Sequence, residues 1–178
     1  MSDMLWSIVS VVVLLFLYLS VLHSVRNYAK SIPISTLSGQ ENEPTGVAGM
    51  LLAVVGYALA LGFWRLAEAA NVMSFVLSTF NDDPDLTVLL AVAGPSCLAA
   101  LTAFLAVQRL AGGRNPAALW QSICLLLYSG IAHEFVLARF TNIPNDETIA
   151  AVWGVLASLC ALYLIAAPRS RNTYGLNR

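Results

Sequence analysis

The chain has 178 residues, of which 58% are hydrophobic and only 11% charged, with a formal net charge of −1. Soluble domains are roughly 45–50% apolar and about 25% charged, so nine basic and ten acidic side chains are too few to cover a water-facing surface of this size. The balance excludes an ordinary cytosolic enzyme, a disordered chain and a nucleic-acid binder, whose basic footprint is missing. It predicts instead an all-α, polytopic integral membrane protein forming a single domain over residues 1–178, with the lipid bilayer as its first partner.

A hydrocarbon layer about 30 Å thick needs about 20 mostly apolar residues per helical crossing. Five stretches meet that requirement, at about 4–22, 46–64, 86–107, 117–138 and 148–167. The first contains Val11 to Leu19, apolar on every face. Asp3 before it, with no Lys or Arg and no A-x-A-like cleavage site after it, predicts a retained anchor and not a cleaved signal. A polar stretch from His23 to Thr45 follows and predicts the longest loop, cytoplasmic, over 23–45. Pro44 suits the first turn of the second span, where a missing N–H costs nothing.

Leu66 to Phe80 is apolar but short, and it contains Glu68 and Asn71. It predicts either a continuation of the second helix beyond the membrane or an interfacial helix at 66–80. Asp83 and Pro84 are a cap and first-turn pair announcing the third span. That span ends at Gly112-Gly113, and the turn Arg114-Asn115-Pro116 makes the third and fourth spans an antiparallel hairpin. The fifth follows Ile143 to Glu147, and a polar tail, Pro168 to Arg178, ends the chain.

Seven of the nine basic residues fall on one set of span ends: Arg26, Lys30, Arg109, Arg114, Arg169, Arg171 and Arg178. Only Arg65 and Arg139 fall on the other, which collects Asp3, Asp82, Asp83, Asp85, Asp146 and Glu147. Positive residues stay cytoplasmic, so the N-terminus is expected outside and the C-terminus inside, with a bacterial inner membrane as the default setting. Trp6, Trp64 and Trp153 then fall near the outer boundary and Trp120 near the inner one.

Lipid tails are as apolar as leucine, so helices in a bilayer associate through close packing of small residues. Three spans carry small residues at helical spacing: Gly49, Ala53, Gly56 and Ala60 in the second; Ser96, Ala99, Ala103 and Ala106 in the third; Ala150, Gly154, Ala157 and Ala161 in the fifth. Gly94-Pro95, in mid-span, is the hinge candidate because proline removes a helical hydrogen bond. Cys97, Cys124 and Cys160 sit in apolar runs without a C-x-x-C pair and are expected to be packing residues, with no metal and no cofactor.

The chemistry-bearing candidates are Arg65, Glu68, His133, Glu134 and Arg139. Glu134 lies within a span, where an ionisable group is costly and faces the bundle interior or a wet cavity. Arg65 is its expected partner from another helix, and His133 shares a stripe with Ser122, Leu126 and Ser129. One reading is a clasp of ion pairs at the headgroup level; the other is a proton or cation access site. His133-Glu134 starts the pattern H-E-x-x-H, but the second histidine is absent. Tyr128-Ser129-Gly130 lacks the preceding glycine of an intramembrane serine protease, and His23 and His133 lie too far apart to share a haem. Neither a phosphate-cradling loop nor a basic, aromatic-studded patch for nucleic acid occurs.

The expected function is a small non-enzymatic subunit or interaction protein of a larger membrane assembly, such as a secretion, conjugation or envelope complex, with protein partners or further copies of itself. The alternative is a transporter or channel component that uses the Arg/Glu/His cluster and the proline-bearing helix. An intramembrane enzyme ranks last, because nucleophile, base and orienting group do not converge.

Overall fold

A computed structural model describes residues 2–32, 46–79, 86–136 and 147–176; the side chains of 2–11 and of Glu147 are not among the described features. All regular structure in these residues is helical. The elements are α1 (Ser2–Ser31), α2 (Met50–Thr79), α3 (Leu86–Gly112), α4 (Pro116–Leu127), a π-helical turn (Tyr128–Ala132), α5 (Glu147–Ala166) and α6 (Pro168–Tyr174).

Four of these helices are long and apolar enough to cross a membrane: Val12–Ser31, Met50–Thr79, Leu86–Gly112 and Thr148–Ala166. The fifth expected crossing, at 117–138, is a helical run over 116–136 divided by the π turn and is not among these four. Asn115 starts it by accepting the Ala118 N–H on its side chain at 2.7 Å, with Pro116 at the first helical position.

Two expected boundaries are corrected. The loop expected from His23 is helical to Ser31, because Ser24 and Ser31 fold their hydroxyls back onto Ser20 and Tyr28 carbonyls while Ala29 packs inward at 4% exposure. The second helix begins at Met50, since Gly46 and Gly49 take left-handed backbone angles, φ 80° and 57°. Of the two alternatives for segment 66–80, the structure has the continuation of α2, as far as Thr79. Pro44, the Asp83-Pro84 signal and Arg139 lie outside the described residues.

α2, α3 and α4 run up and down beside one another, α5 packs on α4 and the π turn, and α1 lies against α2 and α3. Small residues set these distances. Ser96, Ala99, Ala103 and Ala106 of α3 are all buried, as are Ala157 and Ala161 of α5, whereas Ala150 and Gly154 are half-buried. On α2 the interior small residues are Gly56, Ala58, Gly62 and Ala69. Gly49 precedes the helix and Ala53 is exposed, so the second-span stripe expected from sequence does not act as one face. At Gly56 the Tyr18 hydroxyl of α1 approaches and donates to the Gly56 carbonyl at 3.0 Å. α3 stays one helix through Gly94 and Pro95.

One end of the bundle is closed by α6, which the sequence suggested only as a polar tail. Pro168 at its start and Gly175 after its end, in the left-handed conformation at φ 71°, are ordinary helix punctuation. Tyr174 of α6 is fully buried and donates to the Leu110 carbonyl at 2.6 Å, and the Gly46 N–H donates to Thr173 Oγ1 at 2.9 Å. Arg114 donates to the Ala29 carbonyl at 2.8 Å at the same end, which carries Arg26, Lys30, Arg109, Arg169 and Arg171 as well.

Outward-facing apolar side chains cover the middle of the bundle: Phe16 at 70%, Leu101 at 60% and Leu162 at 62% exposure are representative. A surface of this kind is compatible with insertion into a membrane and unlike the scattered apolar residues of soluble proteins.

Candidate functional site

The interior face of α2 repeats Leu51, Val54/Val55, Ala58, Leu61/Gly62, Arg65 and Ala69 at helical spacing, so Arg65 occupies a core position. It is only 1% exposed. A guanidinium so enclosed needs acceptors on every side.

The site supplies three. Nε donates to the backbone carbonyl of Ser129 at 3.1 Å, Nη1 donates to Glu68 Oε2 at 2.9 Å, and Nη2 stands 2.6 Å from Glu134 Oε1. Glu68 is one turn along α2, whereas Glu134 reaches across from the helical stretch after the π turn. His133 is fully buried, and its Nε2 stands 3.4 Å from Glu68 Oε2. The structure thus brings together Arg65, Glu68, His133 and Glu134 of the five sequence candidates; the fifth, Arg139, lies outside the described residues.

The Ser129 carbonyl is free to accept because of the π turn. In an α-helix the His133 N–H would bond to Ser129; here it bonds to Tyr128, one residue further back. The extra residue releases one carbonyl, and the arginine takes it. Ser129 also fixes the neighbouring helix, its hydroxyl donating to the Ala99 carbonyl of α3 at 2.9 Å. Beside it, a Cβ at Gly130 would come 2.5 Å from Ala157 Cβ and 3.3 Å from the Trp153 carbonyl, so glycine lets α5 approach here. Tyr57 locks that approach by donating to the Trp153 carbonyl at 2.9 Å, and the Trp153 ring lies 5.8 Å from both Tyr57 and Trp64.

Sequence reasoning did not assign Ser129, Gly130, Tyr57 and Trp153 to this site. The available signal was Tyr128-Ser129-Gly130, a small and polar break within an apolar helix, which a protease-motif comparison alone discards. Glu134 is 16% exposed and borders a groove of about 480 Å³ between the π turn and α5, whose walls include Gly130, Ala150, Ala151, Gly154 and Ser158.

The arrangement holds charge inside the bundle through matched ion pairs and a released carbonyl. Among the described residues no group of three or more His, Cys, Asp or Glu could hold a metal ion, and Cys97, Cys124 and Cys160 are free thiols. No protein-family model, curated protein or solved structure matches this chain.

Proposed function

We propose that the chain is a non-enzymatic subunit or interaction protein of a larger membrane assembly, and that it receives one transmembrane helix of a partner protein. The observation that supports this is the groove between the π turn and α5. Its walls carry Gly130, Ala150, Ala151, Gly154 and Ser158, and Glu134 stands at its edge. The small residues of the α5 wall let a second helix backbone come close, Ile131 and Phe135 line the other wall, and a carboxylate within a membrane favours a helix that brings a hydrogen-bond donor. By the distribution of Lys and Arg, the α6 end faces the cytoplasm of an inner membrane.

The test is photo-crosslinking in native membranes from a reactive residue at Ala151 or Val155, with Leu101 on the far exposed face of α3 as control. A single adduct of defined mass from the groove positions alone is expected. No adduct, together with purification of the chain alone after mild extraction, overturns the reading; an adduct of twice the chain mass makes the occupant a second copy.

A second reading, a component of a proton- or cation-conducting system, is favoured by one observation: two carboxylates, an imidazole and a guanidinium converge within the bundle. Reconstituted proton flux that falls at least tenfold in E134Q would replace the first reading with this one.

A further inference from the structure

Buried polar atoms without a hydrogen-bond partner among the described residues are Arg65 Nη2, Arg114 Nε, Ser96 Oγ and both ring nitrogens of His133. Both arginines bond through their other nitrogens, whereas the Ser96 hydroxyl and the His133 imidazole make no side-chain hydrogen bond. Both residues are 0% exposed. The 3.4 Å approach of His133 Nε2 to Glu68 is an electrostatic contact longer than a well-formed hydrogen bond, and Nδ1 has no comparable neighbour. Buried groups of this kind are rarely left bare.

The two groups share a level in the bundle. The bond from Ser129 Oγ to the Ala99 carbonyl fixes the register of α3 against the helix that follows the π turn. The two run in opposite directions, so one turn forward from Ser129, to His133, matches one turn back from Ala99, to Ser96. Both stripes face the interior: Ser122, Leu126, Ser129 and His133 are fully buried on one helix, Ser96, Ala99 and Ala103 on the other.

Local chemistry leaves this point open to a small polar guest. Thr102, Ser122 and Ser158 return their hydroxyls to carbonyls of their own helices. Ser96 does not. Empty cavities in proteins are apolar, whereas a space facing two or three polar groups holds water.

We propose that a water molecule is bound between His133 and Ser96, linking the imidazole that faces Glu68 at 3.4 Å to Ser96 on α3. Neutral imidazole presents one donor and one acceptor, and imidazolium two donors. Water adapts to either state, which a fixed side chain does not. Glu68, 23% exposed, stands on the far side of the imidazole at the rim of the bundle. The site does not depend on the identity of any partner.

The experiment is water-edited solid-state NMR on the full chain in lipid bilayers. His23 is exposed on α1, so H23Q leaves His133 as the sole imidazole without touching the core. Magnetisation from water is expected to reach the His133 ring at least fivefold more efficiently than the methyls of Leu126, which is equally buried. Adding S96A is expected to reduce the transfer at least twofold. A His133 ring as dark as Leu126 in H23Q overturns the proposal without recourse to any core substitution, and undiminished transfer in a folded S96A protein removes Ser96 from the site.

Discussion

The guanidinium of Arg65 takes the backbone carbonyl that the π turn withdraws from the helix at Ser129, at 3.1 Å. Irregular backbone and buried charge therefore compensate each other: an arginine needs a third acceptor, and an expanded turn supplies one.

Lysine at position 65 keeps the charge but not the fork. R65K retains at most part of the contact to Glu68 and Glu134 and loses the Ser129 bond, at a cost of about 1–3 kcal/mol. Charge reversal is harsher: R65E and E134R each leave uncompensated buried charge, at about 3–5 kcal/mol. The double reversal is expected to recover only the share owed to Glu134 in a thermal-unfolding assay in lipid nanodiscs, because a carboxylate at 65 still faces Glu68 and the Ser129 carbonyl. A loss in the pair equal to the sum of the two single losses would show that the 2.6 Å contact does not exist.

At Gly130 the prediction is steric. A methyl there meets Ala157 Cβ at 2.5 Å, and the Trp153 carbonyl behind it is backbone that cannot swing aside. G130A is expected to destabilise by about 1–3 kcal/mol, and A157G in the same chain to restore part of the loss. Full stability of G130A would mean that α5 does not approach the π turn so closely.

Gly94 behaves in the opposite way. Nothing lies within 4 Å of a Cβ placed there. G94A should hold or raise the melting temperature, since alanine is favoured over glycine in a helix by up to about 1 kcal/mol. If residues 94–95 act as an obligatory hinge, G94A will instead lower partner binding without lowering stability.

The α6 closure carries a pH signature. Burial pushes the Tyr174 phenol above its ordinary value of 10.0, so the folded state holds that proton more tightly than the unfolded chain does. Its stabilising contribution is complete below pH 10 and is lost as pH rises through the higher folded value. Melting temperatures from about pH 8 to about pH 11 should fall more steeply for the native chain than for Y174F. Y174F itself loses the bond to the Leu110 carbonyl, about 1 kcal/mol. Parallel curves would contradict a buried phenol.

Hydropathy located the helices, because a bilayer imposes a length on every crossing, but it said little about where a helix stops. α1 runs to Ser31 because polar residues such as Ser24 and Lys30 are tolerated on an exposed helical face. α2 runs to Thr79 past Glu68 because that carboxylate is held by Arg65 within the same helix. Cost at depth made Arg65 and Glu134 legible as partners. The π turn was not legible, since a single inserted residue leaves the apolar pattern intact and shows only in which carbonyl each N–H meets. α6 was encoded in Pro168 and Gly175 but hidden by the polarity of the residues between them.

Nitroxide labels at Leu17, Leu101 and Leu159, which are 51%, 60% and 56% exposed on three different helices, test immersion in lipid most directly. In bilayers, collision rates with oxygen should be high at all three positions and those with a water-soluble nickel chelate low. Chelate access matching that of a label at Gln108, on the basic end, would contradict a bundle whose outer surface meets hydrocarbon.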